Sequence, residues 1–242
     1  MASIEDLLSL RNTELTGQTG NKDIALSRID ISRFIGENYI DYDSLRSHIG
    51  NHKTNNLVVN KPVKKIISYL LEKKLIKSTQ PNNYEYYNKD ARIYLSGGWL
   101  EELIYCAMLE TKPDEVLYQQ KVKWVVDDIT GSNEVDVIAR KGDILSFISC
   151  KSCHWNYRNE KQSDRNKLRD FLFEADYWDT HFANDKGRAV LVVTQDLIDE
   201  EKNNKKRSPT IFARAEVMNV DLVSLDYFEW DKLVGILTNH WY

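Results

Sequence analysis

The sequence predicts an α/β protein: one mixed sheet with helices on its faces, preceded by a smaller, mostly helical segment. Three observations lead there. An almost wholly apolar run, AVLVVT at 189–194, has the composition of a strand buried on both faces. Residues 133–151 read as two strands joined by the turn Arg140-Lys141-Gly142-Asp143, in which Gly142 can take a positive φ. Amphipathic helical stretches separate these runs, so the second half of the chain orders as helix, three strands, helix, strand, helix, strand.

Taken in order, residues 3–11 and 22–37 have helical spacing and are divided by the Gly- and Asn-containing TGQTGN break. A third helical piece covers 42–49, with Asp41 placed to cap it, and 51–60 is polar and loop-like. Lys61-Pro62 starts a helix in which Val63, Ile66, Ile67, Leu70 and Leu71 repeat at 3–4 spacing while lysines fill much of the remainder. A β-like run at 84–87 and a second at 91–95 follow. Helix, lysine-bearing helix and ribbon suggest a small winged-helix-like unit over 1–95. The second domain, 96–242, opens with a helix over 99–110 that Ser96 can cap. A strand at 116–126 precedes the hairpin, with a connection across 127–132. Residues 155–163 are loop-like. Helices at 166–178, 210–218 and 227–237 and strands at 189–194 and 220–225 complete it.

Composition narrows the function classes. With 33 basic and 37 acidic side chains the net charge is −4, so a nucleic-acid surface would have to be local or offset by cations. Three cysteines, an odd number without framework spacing, suit a reducing compartment. MASIEDLLSL has neither the basic nor the long apolar region of a leader, and no apolar run reaches the roughly 18–20 residues that span a bilayer. The expected location is the cytoplasm, with no membrane association.

The chemistry is expected at the ends of the hairpin. In the first strand Glu134, Asp136 and Ile138 share a face, and in the second Leu145, Phe147, Ser149 and Lys151 do. Acids and an amine thus end a pair of otherwise apolar strands, where burial without use or pairing is costly. Glu101 or Glu102, from the preceding helix, would complete a hard-oxygen site for Mg2+ or Mn2+. Such a cation polarises a phosphoryl oxygen and acidifies an attacking water, and a neighbouring lysine orients that water or stabilises developing charge. Read structurally instead, Glu134 and Lys151 are a cross-strand ion pair, and Glu101 and Glu102 are solvated helix residues.

Other motifs carry less. Cys150-Lys151-Ser152-Cys153-His154 fits a haem-attachment string, but that chemistry belongs to exported proteins, and zinc would need two further ligands. Neither a nucleophile elbow nor a GxxxxGK loop is present.

The order GGWLEE (97–102), NEVDVI (133–138) and FISCK (147–151) resembles the PD-(D/E)XK, or restriction-endonuclease-like, nucleases. It is most similar to the nuclease domain of the type III CRISPR ancillary nucleases, which join a cyclic-oligoadenylate-sensing CARF domain to such a nuclease. The resemblance covers about residues 60–225. It implies a restriction-endonuclease-like mixed sheet and a metal-dependent endonuclease acting on DNA or RNA in antiviral defence. It also implies a homodimer. By position, Glu101 (alternatively Glu102) resembles the helix acid, Asp136 the metal-binding acid and Lys151 the motif lysine, with Glu134 as a further ligand. Two departures stand out. Ser149 occupies the place of the acid two residues before the lysine, where it would hydrogen-bond water or phosphate. Residues 1–60 are too short and too helical for a CARF domain, which implies a sensor-less relative, a sensor partner or a missing region. The alternative is a nuclease-fold protein with impaired catalysis that serves as a nucleic-acid-binding or regulatory partner.

Overall fold

Alternating and wholly apolar runs build a six-stranded sheet. The computed structural model describes residues 2–49, 59–126, 128–157, 162–183, 187–199 and 202–242. Helix α1 (Ile4–Ser9) and strand β1 (Thr13–Leu15) come first. Ser3 and Asp6 form a capping box that offsets the poor intrinsic stability of so short a helix. Helices α2 (Lys22–Ser27), α3 (Ile29–Glu37), α4 (Tyr39–Arg46) and α5 (Lys61–Glu72) follow. Asn60 caps α5 by accepting from the Val63 N–H, and Pro62 sits in its first turn, where no N–H is needed.

Strands β2 (Ile76–Gln80) and β3 (Asn83–Tyr86) form a hairpin that pairs only with itself. Helix α6 (Lys89–Ile93) joins α7 (Trp99–Glu110) through Tyr94–Gly98, where the chain kinks at Gly97, whose φ is 177°. Strands β4 (Glu115–Val126), β5 (Ile129–Lys141) and β6 (Ile144–Lys151) are followed by α8 (Gln162–Phe182) and β7 (Arg188–Val193). A small ribbon, β8 (Ile198–Asp199) with β9 (Lys205–Lys206), precedes α9 (Pro209–Val217), β10 (Val220–Val223) and α10 (Trp230–Asn239).

The sheet order is β1-β4-β5-β6-β7-β10. Pairing is antiparallel from β1 to β6 and parallel from β6 through β7 to β10. Strand β7 shows why its sequence is apolar throughout. Val190 and Val192 face the α7 layer, while Ala189, Leu191 and Val193 face α8 and α9. Each such fully buried Val or Leu contributes about 1.5–3 kcal/mol relative to exposure. At the far end of the second face, Ile4 and Leu8 of α1 and Trp178 and Phe182 of α8 close over Ile138, Leu145 and Phe147.

The core under α7 also takes in Ile35, Tyr39, Tyr42, Leu45, Ile66 and Leu70, so the helices α3 to α5 share continuous packing with the sheet. Residues 4–15, which the sequence groups with the segment 1–95, pack with the sheet: α1 lies on its second face and β1 along the edge of β4.

Several boundaries differ from the sequence reading. The stretch 22–37 breaks at Arg28, whose φ of −105° and ψ of 5° are not helical. Helix α4 starts at Tyr39, leaving Asp41 in its first turn rather than at its cap. Residues 91–95 are helical instead of β-like, because Asn88 caps α6 and the chain runs on into α7. Ser96 does not cap α7; its hydroxyl donates to the Arg92 carbonyl. Strand β5 begins at Ile129, earlier than expected, and pairs there with Val126. Residues 51–58 and 158–161, both read as loop, lie outside the described residues, as does Asp127. No described helix is long and apolar enough to cross a membrane.

Candidate active site

The pairing of β5 with β6 runs from Lys141–Ile144 to Val137–Ile148 and ends there. Beyond that point β6 continues against β7, and β5 continues against β4, so the two strands part. The Cys150 N–H turns to a side chain and donates to Asp136 Oδ2 at 2.6 Å. A peptide N–H on a carboxylate is a charge-assisted bond worth about 1.5–3 kcal/mol. The opening of the sheet and the placement of Asp136 therefore support each other.

Asp136 is mostly buried, and its carboxyl pKa is pushed up to about 7. Burial is the main cause; the charge of Glu101 adds to it, the Cys150 N–H and Lys151 oppose it, and Glu134 raises it slightly further. Glu101 comes from the first turn of α7. Its pKa is raised, first by burial and then by Glu134, against the opposing Gln119 amide and Lys151. Gln119 Nε2 donates to Glu101 Oε2 at 2.6 Å. Glu134 lies exposed on the rim, on the Asp136 face, as the alternation in β5 predicts.

Gln119 is a residue that sequence reasoning missed. Its φ is +48°, left-handed backbone inside a strand, which a non-glycine residue adopts only when its surroundings enforce it. Residues 16–20 supply that enforcement by running beside β4. The Gly20 N–H and the Thr19 hydroxyl both donate to the Tyr118 carbonyl, and the Lys121 N–H donates to the Gln18 carbonyl. Gly20 is required there, since an added Cβ would lie 2.6 Å from Gln119 Oε1 and from the Tyr118 ring.

Lys151 ends β6 beside the Asp136 carboxylate field, and its ammonium is held from across the cleft. Nζ lies 3.2 Å from Glu174 Oε1 and 3.1 Å from Oε2, and 5.4 Å from the centre of the Phe171 ring. Ser149, Lys151, Glu134, Asp136 and Glu174 line one small cleft, floored by Phe147, Ala175 and Trp178. Glu174 is the second missed residue. In sequence it is one acid among several on an amphipathic helix.

Glu102, adjacent to Glu101, points elsewhere. Its carboxylate is 3% exposed and is forked by Arg28, with Nε 3.0 Å from Oε2 and Nη2 on Oε1. Burial raises its pKa and the guanidinium opposes that shift. Arg28 also stacks on the Tyr94 ring at 4.2 Å, and the Tyr94 hydroxyl meets Ser32 Oγ at 2.9 Å.

The CKSCH string does not converge on one point. Cys150 is buried, and burial pushes its thiol pKa well up, so it stays protonated. His154 Nδ1 meets Asp43 Oδ2 at 2.5 Å, in a network that also ties Arg46 to Asp43 and to Ser152. A second arrangement resembles a hydrolytic triad: His240 lies between Ser146 Oγ (2.7 Å) and Asp221 Oδ2 (2.5 Å). Ser146 is 0% exposed, which denies it any substrate, and the trio instead ties β6 and β10 to the end of α10.

Among the described residues no group of three or more His, Cys, Asp or Glu side chains is already gathered as a metal cage. The chemistry of the donors fits a hard divalent cation nonetheless. Asp136 and Glu101 are carboxylates without full countercharge, Glu134 is an exposed third acid, and the Cys150 thiol is buried in the core under α7.

The mixed sheet flanked by helices places the chain in an α/β fold class that solved structures share. The chain matches protein VC1899 from Vibrio cholerae over 98% of its own length and 60% of that chain, with a TM-score of 0.72 and 17% identity. It matches Can2 from Sulfobacillus thermosulfidooxidans, solved in complex with cyclic tetra-adenylate, over 98% of its length and 61% of that chain, at a TM-score of 0.61 and 15% identity. The chain thus spans about 60% of the length of both neighbours, and at these identities the likeness is one of fold. No protein-family model matches the sequence, and no curated protein matches it by sequence.

Proposed function

We propose that the chain is a metal-dependent nuclease of the PD-(D/E)XK kind that hydrolyses phosphodiester bonds of DNA or RNA. The observation that carries this reading is the convergence of Asp136, Glu101 and Lys151 where β5 and β6 part. Asp136 and Glu101, with Glu134 at the rim, would hold Mg2+ or Mn2+; Glu102 is left to Arg28. The cation, when bound, supplies charge to a phosphoryl oxygen and acidity to a neighbouring water. Lys151 orients that water for attack on phosphorus and offsets charge developing on the phosphoryl group. Ser149, whose side chain borders the cleft, donates to water or phosphate. The bond to the 3′-oxygen breaks, leaving a 5′-phosphate.

The resemblance to CRISPR ancillary nucleases and the shared fold with Can2 support a role in antiviral defence. In that setting two copies of this chain would pair their clefts, and a cyclic oligoadenylate would act through a sensor region or partner. The test is cleavage of plasmid, single-stranded DNA and single-stranded RNA in Mn2+ and in Mg2+, beside Asp136→Ala and Lys151→Ala. Cleavage that survives both substitutions sinks the assignment.

Ser149 favours a second reading, a nuclease fold that binds nucleic acid without cutting it. That reading expects affinity that falls steeply with salt and does not depend on Asp136.

A further inference from the structure

We infer that Glu174 of α8 is the positioning residue that fixes the Lys151 ammonium in the cleft. The inference rests on the nuclease reading given above.

A lysine head on a flexible four-carbon stem has no geometry of its own. Ser149, two residues earlier on the same face of β6, carries no charge with which to hold it. The restraint comes from the opposite layer, where α8 presents Phe171 and Glu174 three residues apart on one helix face. Both carboxylate oxygens of Glu174 lie within 3.2 Å of Nζ, and the Phe171 ring supports the same cation at 5.4 Å. Glu174 borders the same cleft as Asp136, Glu134 and Ser149, so the pair forms inside the site and not on a remote surface.

Stability is a poor account of this contact. Glu174 is 44% exposed and Lys151 23%, and ion pairs so open to water contribute little to folding. Its effect falls on where the ammonium sits. Glu174 belongs to a helix and Lys151 to a strand, so the distance between them is set by the packing of Ala175 and Trp178 on the sheet.

The experiment compares wild type, Glu174→Gln, Glu174→Asp and Asp136→Asn in two measurements. The first is steady-state cleavage with Mn2+ titrated. Glu174→Gln is expected to lower kcat about tenfold or more. KM and the Mn2+ concentration at half-saturation should stay within about twofold, and Glu174→Asp should restore part of the loss. The second is reductive methylation of the protein without nucleic acid, read by mass spectrometry. Lys151 should react faster in Glu174→Gln than in wild type, and by a larger factor than in Asp136→Asn. A Glu174→Gln variant with wild-type kcat and wild-type Lys151 reactivity overturns the inference. So does a tenfold rise in the Mn2+ requirement, which would make Glu174 a ligand. A wild-type chain that cuts none of the three substrates overturns the nuclease reading and this inference with it. A wild type that cuts, with Glu174→Gln equal to it, overturns this inference alone.

Discussion

Glu101 and Glu102 are neighbours on one helix, yet they belong to opposite kinds of environment. Glu102 is the more deeply buried and is fully answered: Arg28 forks its carboxylate, Tyr94 supports the guanidinium and Ser32 takes the Tyr94 hydroxyl. Glu101 receives a neutral amide from Gln119 and faces the acids Glu134 and Asp136. The first arrangement closes a structural joint between the break in α2–α3 and α7. The second leaves negative charge in excess, which is what a cation site requires. Burial by itself does not separate the two; the supply of countercharge does.

The largest expected effect tests that excess. Asp136→Ala should lower cleavage by about a thousandfold or more, and Lys151→Ala by about a hundredfold or more, measured under single-turnover conditions. Arg28→Ala should do the reverse of this. It strands Glu102 and should cost about 3 kcal/mol of stability, read by urea unfolding, with cleavage per folded molecule little changed. Arg28→Met with Glu102→Leu, which removes both charges, should recover most of that loss.

A smaller effect appears in pH. The folded Asp136 carboxyl titrates near 7 against an ordinary value of 3.8. Below about pH 4 folded and unfolded chains are both protonated there and nothing is lost. Between about 4 and 7 the folded chain keeps a proton that the unfolded chain has released, so stability falls as pH rises and levels off above 7. Asp136→Asn should flatten this slope, leaving the smaller part due to Glu101 and Asp179, and raise Tm at pH 8 by roughly 2–4 °C for each kcal/mol gained at this chain length. Mn2+ should raise Tm at pH 8 in wild type and not in Asp136→Asn.

The smallest effect concerns the clamp on Glu101. Gln119→Gly relieves a left-handed backbone but removes the amide that Glu101 accepts, so stability should change by less than about 1 kcal/mol while the loosened Glu101 lowers cleavage about tenfold.

Much of the sheet was legible because its strands obey simple periodicities. β7 is apolar on both faces, and β5 and β6 put their acids and lysine where alternation demands. Helix α5 announced itself by its stripe and its proline. Strand β1 did not, since three residues carry no period and its partner lies more than 100 residues away. Residues 91–95 misled because β-branched and aromatic residues there serve a helix that is fixed by the Asn88 cap and its continuation into α7.

In the candidate site, Asp136, Lys151 and Glu134 were readable from spacing. The choice between Glu101 and Glu102 was not, because Arg28, which decides it, stands 74 positions away. Gln119 leaves no trace in sequence, since a positive φ in a non-glycine residue is imposed by the segment packed beside it. Glu174 was hidden for a different reason. Its role depends on helix α8 crossing the sheet at one particular height.

The strip formed by residues 16–20 also orders events in time. Thr19 meets the Tyr118 carbonyl across 99 positions of chain. Its closure therefore carries the loop entropy of a long-range contact and waits for β4 to exist. The backbone twist at Gln119 is thus expected to form late in folding, with a φ-value near zero for Thr19→Ala. A fragment beginning after Gly20 would retain every acid and the lysine of the cleft, yet it would lack the scaffold that bends the strand beneath Glu101.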